Sequence, residues 1–171
     1  MTLDELLRRG RATRLVVTDV DGVLTDGGVY YSARGEELKR FSIRDGMGVE
    51  RLRDAGVETA IVTGERSECV LRRAEKLGVV HTLHGVRDKR VALAQLRERA
   101  GGSLADLAWI GDDVNDLPAL ELVGEHGLTG APDDAMPEVL DRVHHRCAAP
   151  GGHGAFRDFA EWILRLQGGN P

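Results

Sequence analysis

The stretch VVTDVDGVLTDGG, residues 16–28, decides the fold, because an apolar run changes within a few positions into an acidic, glycine-rich loop. The apolar and β-branched residues over 14–20 predict a buried strand. Asp19 and Asp21 stand where that strand ends. Two carboxylates this close repel each other, so a bound cation is the first candidate for offsetting the repulsion.

The composition is typical of a globular protein that folds as one domain over 1–171. Of the 171 residues, 42% are hydrophobic and 30% are charged. The net charge of −5 and the aromatic content of 4% argue against a general nucleic-acid binder. No apolar run reaches the roughly 18 residues that a membrane span needs, and the N-terminal stretch lacks the apolar segment of a signal peptide. We therefore expect a cytoplasmic protein without a membrane partner.

Cysteine and histidine show no metal-binding pattern in the sequence. Cys69 and Cys147 lie far apart and outside any C-x-x-C motif, so their spacing indicates neither a zinc site nor a disulfide framework. The six histidines lack ligand spacing as well. The adjacent His144 and His145 would face opposite sides of a strand. We expect all six histidines to be structural or exposed.

Strands alternate with helices along the chain, which is typical of a parallel α/β sheet with helices on both faces. A polar β-hairpin is expected over 28–43. Further strands are predicted over 57–64, 79–85 and 107–113, within HGLTG, and at an edge over 142–146. Helices are predicted over 45–56, 66–78 and 89–102, within DLPALELVG and AMPEVLDR, and in the C-terminal turn and helix over 150–168. The sequence thus predicts a doubly wound, Rossmann-like fold with a hairpin flap.

Polar residues converge on the carboxyl ends of these strands, where open α/β sheets carry their sites. The residues concerned are Asp19, Asp21, Thr63, Gly64, Lys89, Asp112 and Asp113. A threonine hydroxyl and free N–H groups at a helix start can bind an anion, Lys89 adds a positive charge, and the carboxylates can hold a cation. Each loop alone could simply be polar, but their shared position favours one site.

The acidic loop by itself has simpler explanations. An EF-hand requires oxygen ligands at alternate positions and a glutamate at the twelfth. Counted from Asp19, this loop has Val23 at the fifth position and Tyr30 at the twelfth, so a calcium loop is excluded. A solvated turn remains open for the tetrapeptide taken alone.

In combination, the motifs DVDGVLTD, VTG, Lys89 and GDDVND resemble those of the haloacid dehalogenase-like hydrolases. The hairpin directly after the first motif, with no inserted cap domain, resembles the capless branch that dephosphorylates eight- and nine-carbon 2-keto sugar acids. GEELKRFSIRDGMG and GGHGAFRDF strengthen that match, and the resemblance runs nearly end to end. It implies a Mg²⁺-dependent phosphoric monoester hydrolase.

The same scaffold also allows two functions other than a phosphatase. One is a non-catalytic oligomerisation module of the kind associated with acylneuraminate cytidylyltransferases, which would be expected to have lost its nucleophile. The other is a phosphotransferase or mutase, which usually needs a cap to exclude water. The motif residues are all present and no cap-sized insertion is visible, so the sequence favours a hydrolase.

The resemblance also implies roles for the residues of the site. Asp19 would be the nucleophile that forms an aspartyl phosphate, and Asp21 would act as general acid and base. Mg²⁺ would be held by the Asp19 carboxylate, the Asp21 main-chain carbonyl and Asp112, supported by Asp113 and Asp116. The phosphoryl group would be bound at Gly22, Thr63, Gly64 and Lys89.

The second motif reads TGE, where octulosonate 8-phosphate phosphatases usually show T-G-R. With Glu65 at this position, the second motif resembles that of the branch acting on nonulosonate 9-phosphates. A glutamate also suits the first turn of a helix. We predict a nonulosonate 9-phosphate as substrate, with octulosonate 8-phosphate as the alternative. Further sugar contacts are implied for Arg44, Asp45, Gly46, Arg73, Lys76 and Arg157, each of which could instead be an ordinary cap, turn or solvated residue.

An active site without a cap domain is open to water, and members of the capless branch close it by forming oligomers. They form tetramers in which a neighbouring copy covers the active site and excludes water. The hairpin over 28–43 is expected to lie over the site, and the GGHGAFR segment could form part of the cover. The resemblance thus implies a homotetramer.

Overall fold

A six-stranded, all-parallel sheet forms the centre of the molecule. The structure is a computed structural model that describes residues 1–99 and 102–169. The strands are β1 Leu15–Thr18, β4 Glu58–Val62, β5 His81–Leu83, β6 Leu107–Ile110, β7 Leu128–Ala131 and β8 His145–Arg146. Their spatial order is β5-β4-β1-β6-β7-β8. The strand order reverses beside β1, which is the topological switch point where ligands bind in open α/β sheets.

Helices cover both faces of the sheet. They are α1 Leu3–Ala12, α2 Ile43–Asp54, α3 Glu68–Leu77, α4 Lys89–Arg99, α5 Leu117–Gly124, α6 Pro137–Leu140 and α7 Ala155–Gln167, with a 3₁₀ turn at Leu104–Asp106. Strand β1 is buried on both sides, since Val16 packs into the core beneath α2, α3 and α7, while Val17 packs into the core beneath α4 and α5. The predicted doubly wound α/β fold is confirmed.

The predicted hairpin forms a separate two-stranded antiparallel sheet of β2 Tyr30–Ser32 and β3 Gly35–Leu38. Its outer face is exposed, with Tyr31 at 71% relative exposure. It contacts the start of α3, because Ser67 Oγ donates to a carboxylate oxygen of Glu36. The hairpin therefore spans from the β1 loop to the helix that follows β4.

The strands and helices fall within or close to the predicted ranges, with strands shorter by a few residues at their ends. The predicted helix 89–102 is helical to Arg99, and 100–101 lie outside the described residues. Helix α1 was not predicted, because its stretch is short and mixed in charge. It is capped by Thr2, whose Oγ1 accepts from the N–H of Glu5, and Gly10 packs closely against Leu166 of α7. In the described part of the chain, no helix is long and apolar enough to cross a membrane.

Candidate active site

A buried lysine joins two carboxylates beyond the carboxyl ends of the central strands. Lys89, at the first position of α4, donates to Asp19 Oδ2 at 2.6 Å and to Asp116 Oδ1 at 2.8 Å. The lysine is 1% exposed, and the two aspartates are 4% and 0% exposed. Ion pairs this deeply buried hold their side chains in one geometry, because breaking one leaves an uncompensated charge in the interior.

Asp116 is held in place by contacts that come from β6 and the loop after it. Trp109 Nε1 donates to Asp116 Oδ1 at 3.0 Å, and the Asp112 N–H donates to Asp116 Oδ2 at 3.3 Å. Asp116 therefore accepts three hydrogen bonds, including the one from Lys89. This arrangement fixes the position of Lys89 and, through it, of Asp19.

Negative charge exceeds positive charge at this point. Carboxylate oxygens of Asp19, Asp112 and Asp116 lie within 4.8 Å of one another. Lys89 pairs with two of them, Asp19 and Asp116. Burial, followed by the charge of Asp116, raises the pKa of Asp19 to about 7. Burial, together with the charges of Asp19 and Asp116, raises the pKa of Asp112 to about 8. The same two aspartates raise the pKa of Lys89, although burial alone would lower it.

Asp112, in the loop after β6, lies close against the loop after β1, and this close approach requires glycine at position 22. Gly22 has φ of 86°, and a Cβ there would come within 1.9 Å of Asp112 Oδ2. Asp112 Oδ1 is buried and has no hydrogen-bond partner. An orphaned carboxylate oxygen beside two further carboxylates is a site that a hard divalent cation would fit.

A cavity of about 190 Å³ opens above this cluster. Its lining residues are Asp19, Asp21, Thr63, Gly64, Glu65, Asp112, Asp113 and Asn115. Thr63 is buried, and its Oγ1 accepts the N–H of Glu65 at 3.2 Å, which tightens the turn after β4. The cavity thus combines carboxylates on one wall with a hydroxyl and a glycine turn on the other.

Lys39, at the end of the hairpin, is a site residue that the sequence analysis missed. Its side chain is fully buried, its Nζ donates to Asp21 Oδ1, and Glu36 Oε2 lies 3.6 Å away. The hairpin therefore contacts the Asp21 carboxylate directly. Desolvation opposes the charge of Lys39, but Asp21 and Glu36 outweigh it and raise the lysine pKa.

This chain is similar to known proteins of one family. The model of a family described as haloacid dehalogenase-like hydrolase matches residues 40–124. The 3-deoxy-D-manno-octulosonate 8-phosphate phosphatase KdsC of Yersinia pestis is 38% identical over 164 residues, which is 96% of this chain and 86% of that protein. The chain belongs to the haloacid dehalogenase-like hydrolases.

Other relatives of this hydrolase carry the same name. KdsC of Haemophilus influenzae is 41% identical over 91% of this chain and 84% of that protein. The solved structure of 3-deoxy-D-manno-octulosonate 8-phosphate phosphatase from Moraxella catarrhalis has a TM-score of 0.89 and 35% identity, covering 98% of this chain and 94% of that one. That crystal structure is a complex with a magnesium ion, a phosphate ion and a KDO molecule. The predicted family and the prediction of a phosphoric monoester hydrolase are confirmed.

The hydrolase fold brings most of the predicted catalytic, metal and phosphate residues together. Those at the cavity or directly behind it are Asp19, Asp21, Gly22, Thr63, Gly64, Lys89, Asp112, Asp113 and Asp116. Glu65 also lines the cavity, with its side chain exposed. Their individual roles stay predictions.

The remaining predicted sugar contacts lie outside this cavity in the same chain. Asp45 is buried, and its Oδ1 accepts the N–H of Arg157 at 3.0 Å at the start of α7. Burial raises the pKa of Asp45. Arg157 Nε donates to Glu161 at 2.8 Å. Within one chain, this pair therefore joins α2 to α7.

Arg73 links the hairpin end to α3. Its guanidinium donates to the Ser42 carbonyl at 2.9 Å, lies 5.8 Å from the centre of the Phe41 ring, and covers Gly46. Lys76 is exposed further along α3, and Arg44 lines a separate groove beside the hairpin. The substrate contacts of these residues stay predictions.

Proposed function

We propose that this hydrolase is a Mg²⁺-dependent phosphatase that hydrolyses the phosphomonoester of a 2-keto-3-deoxy sugar acid. The observation that carries the proposal is the cluster of three aspartates and Lys89 at the base of a cavity that Thr63 also lines. A phosphomonoester dianion repels an incoming carboxylate, so positive charge must be supplied before attack on phosphorus. The curated relatives named as phosphatases of this sugar-acid class support the substrate class.

The residues present fit Mg²⁺ by donor chemistry. The candidate ligands are carboxylate oxygens of Asp19 and Asp112 and the main-chain carbonyl of Asp21, and oxygen donors are what Mg²⁺ prefers. The orphaned Oδ1 of Asp112 and the unbalanced negative charge are both consistent with a cation here. When bound, Mg²⁺ would neutralise phosphoryl oxygens and so lower the electrostatic barrier to attack. The magnesium ion in the Moraxella catarrhalis enzyme supports this assignment.

Asp19 supplies the nucleophile in the proposed reaction. A carboxylate oxygen of Asp19 forms a bond to phosphorus, and the bond between phosphorus and the sugar oxygen breaks. Lys89 orients this carboxylate, since it holds Oδ2 at 2.6 Å while the Val20 N–H holds Oδ1 at 2.7 Å. Because the pair is buried, the nucleophile cannot swing away from the cavity.

Asp21 handles the protons of both half-reactions. It donates a proton to the departing sugar oxygen, and it later takes one from the water that attacks the aspartyl phosphate, which releases inorganic phosphate. The ion pair with Lys39 holds the Asp21 carboxylate at the cavity wall. Thr63 and the N–H groups near Gly22 and Gly64 bind phosphoryl oxygens in this scheme.

Within the sugar-acid class we propose a nonulosonate 9-phosphate as the preferred substrate. Glu65 lines the cavity, and its carboxylate can accept hydrogen bonds from sugar hydroxyls where an arginine can only donate. Octulosonate 8-phosphate is the second candidate, favoured by the substrate named for the KdsC relatives.

The function is tested by phosphate release from a panel of esters. The panel comprises eight- and nine-carbon keto-acid phosphates, with hexose phosphates as controls, each assayed with Mg²⁺ and with a chelator. We expect turnover of a keto-acid ester that depends on Mg²⁺ and exceeds that of the hexose phosphates. Equal turnover of all esters would contradict the substrate class, and full activity in chelator would contradict the metal.

A Glu65→Arg variant should shift specificity toward octulosonate 8-phosphate. Each polar group left unpaired by the wrong sugar costs about 1–3 kcal/mol, enough for roughly tenfold to hundredfold discrimination. The ratio of kcat/KM values for the two esters measures the shift, while p-nitrophenyl phosphate should change much less. Glu68→Arg makes the same charge change at an exposed position nearby and should leave the ratio unaltered. Equal losses on all three esters would assign Glu65 to the phosphate loop.

We further infer a homotetramer in which a neighbouring copy covers the cavity. Apolar side chains on and beside the hairpin are exposed in one chain, with Tyr30 at 62%, Tyr31 at 71%, Leu38 at 62% and Ile43 at 86%. Exposed apolar patches of this kind mark interaction surfaces. Light scattering at micromolar protein should give four times the chain mass. A Tyr31→Glu variant should dissociate and lose activity, and a fully active monomer would contradict the proposal.

A further inference from the structure

We propose that His145, Cys147 and Asp158 form a second metal site, for a thiophilic divalent cation such as Zn²⁺. One ring nitrogen of His145, the Sγ of Cys147 and a carboxylate oxygen of Asp158 all lie within 4.8 Å of one another. Carboxylate oxygens of Asp19, Asp112 and Asp116 at the active site also lie within 4.8 Å of one another. Residues 1–99 and 102–169 thus contain two three-residue ligand sets of different chemistry.

The fold builds this cluster from the sheet edge and the C-terminal helix. His145 lies on β8, and Cys147 follows two positions later, where the Cys147 N–H still donates to the Ala131 carbonyl at 2.8 Å. Residues two apart on an extended strand point to the same side. Asp158 comes from the first turn of α7, which packs against that side. A bound cation would therefore fasten the edge strand to the last helix.

Asp158 and His145 are each held by a neighbour outside the cluster, and a metal ion would replace the contact that these two side chains make with each other. Asp158 Oδ2 accepts the Ala148 N–H at 2.6 Å, while Oδ1 lies 3.4 Å from His145 Nε2. The His145 ring stacks on Trp162, with 4.7 Å between ring centres and an interplanar angle of 13°. Second contacts of this kind are what orient metal ligands.

The donor set favours zinc-like cations over magnesium. A thiolate, an imidazole and a carboxylate match borderline-soft metals, whereas Mg²⁺ prefers oxygen alone. A neutral imidazole is the form of histidine that binds metals. Cysteine binds metals as the thiolate. Binding must therefore replace the thiol proton, so that a metal–sulfur bond forms and one proton is released to solvent.

Access to the cluster is open from the solvent side. The side chains of His145 and Asp158 are 18% and 24% exposed, while Cys147 is 2% exposed beneath them. Water can complete a fourth position on this exposed side. Without a metal, the cluster would be an ordinary polar contact between His145 and Asp158 above a buried thiol. A metal-binding experiment distinguishes a metal site from such a polar contact.

Cobalt titration of the wild-type chain with excess Mg²⁺ present is the test. A Cys147 thiolate bound to Co²⁺ gives a near-ultraviolet charge-transfer band, which oxygen ligands at the active site cannot produce. We expect this band to saturate at one equivalent per chain, to vanish in Cys147→Ser, and to persist in Cys69→Ser, the variant at the other free cysteine. No band in the wild type, or a band that survives in Cys147→Ser, would overturn the proposal.

The Tm measured with and without Zn²⁺ is a second readout, independent of the cobalt–thiolate absorption band. At a hundredfold excess over its dissociation constant, Zn²⁺ should raise the wild-type Tm by about 5–10 °C. The rise should be lost in His145→Gln and Cys147→Ser, while both variants keep Mg²⁺-dependent phosphatase activity. An equal rise in the wild type and both variants would place the zinc elsewhere and overturn the assignment.

Discussion

An Asp19→Asn variant should lose phosphatase turnover by at least about 10⁴-fold while keeping its fold, because loss of an attacking group costs other covalent enzymes that much. The amide cannot supply the ionised oxygen that attacks phosphorus. Its carbonyl oxygen can still accept hydrogen bonds from Lys89 or from the Val20 N–H, which are the present partners of Asp19. Phosphate release and circular dichroism, measured on the same preparation, separate lost chemistry from lost structure.

The matched control for this variant is Asp26→Asn. Asp26 belongs to the same loop and undergoes the same change of charge, but it lies outside the cavity and contacts Gly28 and Arg40. Its variant should keep turnover near the wild-type value. Substantial turnover by Asp19→Asn on the preferred ester would remove Asp19 as the nucleophile, even if the Mg²⁺ dependence were unchanged.

The cluster of polar side chains at the cavity could be predicted from the sequence because its residues follow the ends of strands. Asp19 follows β1, Thr63 follows β4 and Asp112 follows β6, and these three strands are neighbours in the sheet. Parallel strands bring their carboxyl ends to one edge, so the sequence order of strands and helices already implies the meeting point. Periodicity and the motif residues were sufficient for this part of the site.

Contacts between distant elements could not be predicted in the same way. Lys39 reaches Asp21 only because the hairpin folds back over the β1 loop, and nothing in the local pattern around Lys39 indicates that direction. The His145 and Cys147 pair lacks familiar ligand spacing, and its third partner, Asp158, comes from a different element. Helix α1 likewise depends on packing against α7 rather than on its own mixed-charge sequence.

An Asp112→Asn variant should be inactive and yet more stable than the wild type when metal is absent. The pKa of Asp112 is raised to about 8 by burial and by the charges of Asp19 and Asp116. The folded chain therefore binds the Asp112 proton more tightly than the unfolded chain does. The contribution of this proton to the free energy of unfolding is fully present below about pH 4 and is lost as the pH rises through about 8. Because an asparagine cannot ionise, the variant does not lose this contribution as the pH rises.

The expected gain is on the order of 1–3 kcal/mol at pH 8 to 9, smaller than the full shift implies because Asp112 is partly exposed to solvent. That gain corresponds to a Tm higher by several degrees in chelator, and the difference should shrink at pH 5. Mg²⁺ should raise the Tm of the wild type but not of Asp112→Asn, because the variant lacks a metal-binding carboxylate. Asp26→Asn should respond to pH and Mg²⁺ as the wild type does. If metal-free Asp112→Asn were less stable than the wild type at pH 8, the Asp112 carboxylate would be a structural residue rather than a destabilised metal ligand.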